Sequence, residues 1–577
     1  MTRLCLALSL LLPALAACDD NDAEFWQQPN DLLPMVALDD RVAFVERISQ
    51  TVFLLDPGDP TLTPRLVPVG KAPVAAVKRN GANQLLVLTK GDRGSPSEPA
   101  VPAELHVIDA VAATSDSYPL TGRFDAMAQS DDGRHLVLHH SPSGQSQADS
   151  ALYNPNEMTL VDFGNPAAPT TKVTPKTIRS LGGVPSAVAF SPSYAFASGP
   201  RTLAVVLSQN YVTVQDIDHP DHTEISVPLC PQAASCNLTP AQVVFDPRNL
   251  SIYVRVSGAK DIYQITLTDL VKDLQPGQLP PTPPSNDFSA SLSMLAVGST
   301  PADMALYPVL VDDGIHGPQP ESRLAVASSE ARRLVIIDPS TSQAVSVATL
   351  VPVDHIVSFV TKVDGKDKQQ ALLVDRTQGS TSVLFADLEQ VATTGGLALS
   401  DYPLGAAAKE VHPLFDVLGS VAGVVLVAGN YSGSAAVTVV DLATRSFSTF
   451  GASSPLALPT FETRIPSRLW SVDQGTGLCY LNLSERLDPT TGLLDEPRLA
   501  TGEIWLDQNI VSITPLKTAG SQPVAAGTIP PRYLVVGHND PGAIGNLTIL
   551  DADHPDRANA RAAYGFLLTN YLERKQP

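Results

Sequence analysis

A short β-rich run ending in aspartate recurs through this chain at nearly constant spacing. That period limits the possible folds more than any other feature. The runs are Val52 to Asp56, Leu105 to Asp109, Met158 to Asp162, Val212 to Asp216, Leu334 to Asp338, Val383 to Asp387, Val437 to Asp441 and Leu547 to Asp551. Ile262 to Thr266 fits without its aspartate. The first four aspartates lie 53, 53 and 54 residues apart, and later gaps include 49 and 54. The 122 residues between Asp216 and Asp338 hold two repeats and an insertion, visible as the proline-rich 275–284 and the polar 312–320. Self-similarity at a period of about 50 residues is the mark of a stacked or ring-shaped repeat protein.

Each aspartate reads as the end of a strand and the start of a tight turn. Proline stands four residues after Asp56, Asp162, Asp216 and Asp551, and aspartate, glycine and proline make turns for defined reasons. Asp216 to Asp221 and Asp551 to Asp556 nearly copy one another around an Asp-His-Pro-Asp core. A second element, Gly-x-x-Pro, precedes the aspartate runs at Gly70 to Pro73, Gly182 to Pro185 and Gly298 to Pro301. Apolar strands then follow at Leu85 to Leu88, His135 to Leu138, Leu203 to Val206, Ile252 to Val254 and Leu324 to Val326. Four antiparallel strands in about 50 residues form one propeller blade.

This order resembles the YVTN-type (WD40/YVTN-like) β-propellers, whose blades run Val-Gly-x-x-Pro, a strand with Ser-Pro-Asp-Gly, an apolar strand, then Val-Ile-Asp. Ser130 to Gly133 carries the Ser-Asp-Asp-Gly form of that turn. The resemblance covers residues 36–577 and implies an all-β fold, a single β-propeller of four-stranded blades. Nine third strands are clear and a tenth is expected at Glu503 to Asp507. Eight blades are preferred, with some repeats as hairpin insertions, and seven to ten fit. The ring must close so that no sheet edge is left open. Met35 to Val45 is expected to pair with Tyr533 to Val536 or with Ala562 to Leu568.

Residues 1–17 read as a secretory signal. Arg3 is followed by an apolar run, Leu4 to Ala14, which is shorter than the ~20 residues a membrane helix needs. Leu15-Ala16-Ala17-Cys18 resembles the lipobox of bacterial lipoproteins. The resemblance implies cleavage before Cys18 and lipidation of Cys18, with more than the one chain that binds a membrane only marginally. Residues 18–35 are acidic and polar, with Phe25 and Trp26 as the aromatics, and read as a flexible tether. The expected location is the cell envelope, lipid-anchored and facing the periplasm or the exterior.

Among the other cysteines, Cys5 leaves with the signal. Cys230 and Cys236 suit a small-loop disulfide in an oxidising compartment. The alternative, half of a metal site, lacks a second cysteine pair or a nearby histidine pair. Cys479 reads as a buried apolar residue.

Net charge excludes one class of partner. With 38 basic against 59 acidic residues the chain carries −21, and nucleic-acid binding needs a basic face. Histidines and acids cluster at His139-His140, from Asp216 to Glu224 with His219 and His222, and at His554. Local turn chemistry accounts for the two Asp-His-Pro-Asp stretches, so no metal site, catalytic residue or cofactor is assigned. Lys362 to Lys368 lacks the alternating oxygen ligands of a calcium loop. The nucleophile elbow, the phosphate-cradling glycine loop and His-Glu-x-x-His are absent from the sequence. The expected role is a non-enzymatic binding or scaffold module for an envelope protein or glycan. The alternative is an envelope enzyme on the same scaffold, a lactonase-like hydrolase or a quinoprotein-like oxidoreductase.

Overall fold

The computed structural model describes residues 31–563 except for short internal stretches, the longest being 143–153 and 517–531. The signal segment, Cys18, Phe25 and Trp26 lie outside the described residues. Every aspartate-ended run has three partner strands of its own. Ten four-stranded antiparallel sheets follow in chain order: residues 36–68, 73–120, 126–177, 187–228, 239–296, 303–348, 355–403, 408–452, 457–505 and 510–563. The fold is a single all-β propeller of ten blades, at the top of the expected range and two above the preferred eight.

Alternation along the second and third strands explains why the blades stack. Successive side chains on a strand point to opposite faces. In blade 2, Leu85 and Val87 pack toward blade 1, while Leu86 and Leu88 pack toward blade 3. Both faces are covered, so these strands are mostly apolar and fully buried, as in Val42–Glu46 and Leu203–Ser208. Ten apolar clusters fill the ten seams. Outermost strands such as Gln343–Ala348 are mostly exposed. Innermost strands such as Ala126–Gln129 are half-buried and adjoin one another around the axis. A short α-helix, Leu388–Thr394, joins the third and outermost strands of blade 7.

The innermost strands start at one face of the ring, called the upper face below. His355 and Asp303, the first residues of two successive innermost strands, touch there. The first hairpins and the turns after the third strands emerge at the lower face. Two-stranded ribbons are inserted there, Tyr194–Phe196 with Gly199–Arg201 in blade 4 and Arg486–Leu487 with Leu494–Glu496 in blade 9.

The repeating aspartate is a turn clamp. The Asp109 carboxylate accepts from the Val111 and Ala112 amides (2.9 and 2.7 Å), and Asp56, Asp162, Asp216, Asp338, Asp387, Asp441 and Asp551 make the equivalent bond.

Three expectations need correction. Ile262 to Thr266 does have its aspartate: the strand continues to Asp269, which clamps the Val271 amide at 2.8 Å. Glu503 to Asp507 is not a third strand. Thr501–Trp505 is the outermost strand of blade 9, paired with the third strand Gly477–Asn482, and its alternating exposure differs from the continuous burial of third strands. Met35 to Val45 does not pair with the C-terminal segment. Val36–Ala37 pairs with Val42–Glu46 inside blade 1, and Arg561–Ala563 is the outermost strand of blade 10. The ring closes by side-chain packing, with Val42, Phe44, Phe53 and Leu55 against Leu516, Val535, Leu547 and Ile549. Residues 564–577 lie outside the described residues.

Candidate functional site

Polar groups from three blades converge at the upper mouth of the channel. The seam between blades 5 and 6 brings Gln242 to Asp303, and the Gln242 amide donates to Asp303 Oδ1 at 2.7 Å. Arg255 Nε donates to Gln242 Oε1 at 3.0 Å. From blade 7, His355 Nδ1 lies 2.8 Å from Asp303 Oδ2, which also accepts from the Ile356 amide. A carboxylate can only accept, so His355 Nδ1 carries a proton in this bond. Burial works to raise the Asp303 carboxyl, but the bonds from His355 and Ile356 hold it below the ordinary range. Arg376 and the buried Asp354 pair beside this relay. Burial lowers the Arg255 guanidinium, Asp303 opposes that, and Arg376 adds to it. The set can bind an anion or move a proton.

Other charges at this face are paired within blades 2 and 3. Lys71 meets Asp92, Lys90 meets Asp125, and His106 lies against Glu104. His139 and His140 are buried in blade 3, where His139 Nδ1 sits 2.9 Å from the His140 carbonyl. Burial lowers both imidazoles below their usual value.

At the lower face the two Asp-His-Pro-Asp stretches occupy equivalent turns, yet they differ. His554 is exposed, and Arg557 beyond it pairs with Asp507 at 2.6 Å. His222 stands where Arg557 stands and is buried, with Asp216 of its own blade and Asp287 of blade 5 beside it. Arg201, from the ribbon of blade 4, reaches Asp287 Oδ2 at 2.9 Å and Asp216 Oδ2 at 3.3 Å. Burial raises the Asp216 carboxyl, opposed by the His219 amide. Asp287 was not visible in the sequence as a partner of this turn, because it is joined to it only across the seam.

A cleft of about 450 Å³ separates blades 8 and 9, lined by Phe450, Leu456, Leu469, Tyr480, Cys479 and Glu503. Cys479 is half-buried, and burial together with Glu503 pushes its thiol up to about 11, so it is a poor nucleophile at neutral pH. Cys230 and Cys236 are joined as a disulfide with Cα atoms 6.5 Å apart, after the outermost strand of blade 4.

The lower face also carries exposed aliphatic side chains on five successive blades. Leu279 (87 % exposed) lies in the last connection of blade 5, and Leu310 (73 %) on the first hairpin of blade 6. Val360 is on the first hairpin of blade 7, Leu418 (87 %) at the corresponding turn of blade 8, and Leu494 on the ribbon of blade 9. No helix among the described residues is long and apolar enough to cross a membrane.

No family model matches, and no curated protein matches by sequence. Solved structures that resemble the chain include the dihydro-heme d1 dehydrogenase NirN, at 12 % identity over 72 % of this chain and 74 % of that one, with a TM-score of 0.35. A eukaryotic initiation factor is similar at 10 % identity over 74 % and 89 %, TM-score 0.37. The Dos1 propeller is similar at 12 % identity over 71 % and 89 %, TM-score 0.34.

Proposed function

We propose that this chain is a lipid-anchored envelope protein whose propeller is a non-enzymatic binding module for an envelope protein. The aliphatic crescent on the lower face of blades 5–9 carries this reading. Leu279, Leu310, Val360, Leu418 and Leu494 are scattered over five blades, but they sit on the connections of one face. Their gathering on one face, rather than any single exposed residue, is what points to an interaction surface. The lipobox at Leu15 to Cys18 and the acidic tether support the envelope location.

The test is site-specific photo-crosslinking in cells. A crosslinker at Leu310 or Leu418 should give the same discrete adduct, while one at Ile48 or Leu350 on the upper face should not. Equal adducts from both faces would overturn the assignment of the binding face.

A second reading is favoured by the Arg255–Gln242–Asp303–His355 relay, which suits a small anionic substrate at the channel mouth and hence an envelope enzyme. Recovery of a bound small anion from purified protein, lost in His355→Ala and Arg255→Gln, would select it.

A further inference from the structure

We propose that Asp216, His222 and Asp287 form a binding site for one zinc-like transition-metal ion at the lower seam of blades 4 and 5. This is independent of the binding face proposed above. The three residues are 1 %, 7 % and 5 % exposed. Asp216 Oδ2, His222 Nδ1 and Asp287 Oδ1 are buried with no hydrogen-bond partner. One ligand atom from each residue falls within 4.8 Å of the other two. Beyond His222, Asp216 Oδ2 has only the ion-pair contact with Arg201 Nε at 3.3 Å, and buried polar atoms left without hydrogen bonds are costly unless something else serves them.

The geometry favours a metal over a proton. Asp216 Oδ2 and His222 Nδ1 are 3.5 Å apart. That is long for a hydrogen bond. It matches the spacing of about 3.4 Å between two ligands that each stand ~2.1 Å from a tetrahedral zinc. A proton on His222 would serve Asp216 alone and leave Asp287 Oδ1 unsatisfied. A cation held by one ligand atom from each residue would serve both carboxylates and the imidazole.

The rest of each ligand is already held, as metal ligands usually are. Asp216 Oδ1 accepts from the His219 amide at 3.0 Å. Asp287 Oδ2 accepts from Arg201 Nη2 at 2.9 Å and from the Ser198 hydroxyl. Lys176 Nζ donates to the His222 and Pro220 carbonyls, at 2.5 and 3.1 Å, and fixes the turn. Arg201 reduces the charge of the two carboxylates to −1, so the site does not carry the excess charge that hard cations need. Calcium and magnesium require six or more oxygen ligands. An imidazole with two carboxylates and an open position suits zinc.

Blade 10 is the internal control. Its turn has the same Asp-x-Asp-His-Pro-Asp sequence and the same amide clamp, from Asp551 to the His554 amide at 3.2 Å. It needs no buried histidine, because Arg557 takes that place and points outward to Asp507. The burial of His222 against Asp287 is therefore not a requirement of the turn.

The experiment uses the full mature chain, purified without a histidine tag, stripped with chelator and titrated with Zn2+ or Co2+ alone. One zinc per chain should bind, and chelation should lower the melting temperature until zinc is restored. Co2+ should give the visible absorption of a tetrahedral site. His222→Gln and Asp287→Asn should each weaken binding by at least about tenfold, while His554→Gln should bind as the wild type does. No bound metal, or wild-type binding in either variant, would overturn the proposal. If the variants do not fold, X-ray absorption of the zinc-loaded wild type decides. One imidazole with oxygen ligands supports the site, and two imidazoles or any sulfur refute it.

Discussion

The Arg561 guanidinium donates from Nη1 to the carbonyl oxygen of Asp59 at 3.1 Å, across 502 residues of sequence. It also reaches the Pro57 carbonyl, and it lies over the Tyr533 ring with its carbon 5.5 Å from the centroid. Blade 10 thus holds the turn of blade 1, in a ring whose ends exchange no strand among the described residues.

Closure that relies on side chains should be weakened by a single change. Arg561→Ala removes two charge-assisted hydrogen bonds and should cost about 1.5–3 kcal/mol. The loss should be local, as faster amide hydrogen exchange in blades 1 and 10 with blades 4–7 unchanged. Arg557→Ala, which removes an exposed pair with Asp507, should leave exchange nearly unaltered. Uniform acceleration around the ring would show that the Arg561 seam is not the weak point.

The clamp at the end of each third strand predicts a graded series. Asp109→Ala leaves the Val111 and Ala112 amides without their acceptor and should cost about 0.5–1.5 kcal/mol. Asp109→Asn keeps an acceptor oxygen and should cost less. Thermal melts of the two variants check the order, and an Asn variant as damaged as the Ala variant would contradict it.

The blades were legible in the sequence because their strongest signal is local. An aspartate that bonds amides two or three residues on leaves the same trace in every blade but the ninth. Where the strand runs on, as from Thr266 to Asp269, the signal slips by three residues. Blade 9 hid because its third strand ends in Asn482. That side chain accepts from Arg468 at 2.8 Å and donates to Glu496 at 2.6 Å, so no aspartate is needed. Blade number was harder to read than blade type for this reason. The candidate sites were less legible still. Arg255, Asp303 and His355 come from three blades, and Asp287 meets Asp216 across a seam, so no spacing joins them.

Buried neutral histidines predict an acid-side loss of stability. Burial lowers His139 and His140 in the folded chain, against the pull of Asp125 and, at His140, of Glu157, while Lys90 assists at His140. Unfolded, each titrates near pH 6.5. Below that pH the unfolded chain binds protons that the folded chain refuses, so stability is full above about 6.5 and falls as pH drops. The slope approaches about 1.4 kcal/mol per pH unit for each such histidine. His139→Gln with His140→Gln should flatten stability between about pH 6.5 and 5. Carboxylates held low, such as Asp303 and Asp338, act in a separate window below about pH 4. An unchanged slope in the double variant would assign the loss elsewhere.

The Cys230–Cys236 bond closes a short loop, and in the chain-entropy view such a loop stabilises by about 2–3 kcal/mol. Non-reducing peptide mapping should recover the two cysteines in one linked peptide, with Cys479 alkylated as a free thiol. Reductant should lower the melting temperature of the wild type and not that of Cys230→Ser with Cys236→Ser. Free thiols at both positions in protein secreted to an oxidising compartment would refute the bond.

The anchor gives the last prediction. A lipobox cysteine that carries two or more acyl chains binds a bilayer stably, because each buried methylene contributes about 0.8 kcal/mol and one chain alone is marginal. With Cys18 lipidated as proposed, Cys18→Ser removes every chain at once. The tether, with Asp19, Asp20, Asp22 and Glu24, is repelled by anionic headgroups and cannot substitute. Wild-type protein should therefore sediment with membranes in high salt and dissolve in detergent, while Cys18→Ser should stay in the soluble fraction with its propeller intact. A variant that still sediments would leave Phe25 and Trp26, or the aliphatic crescent itself, as the membrane contact, and the lipid anchor would be wrong.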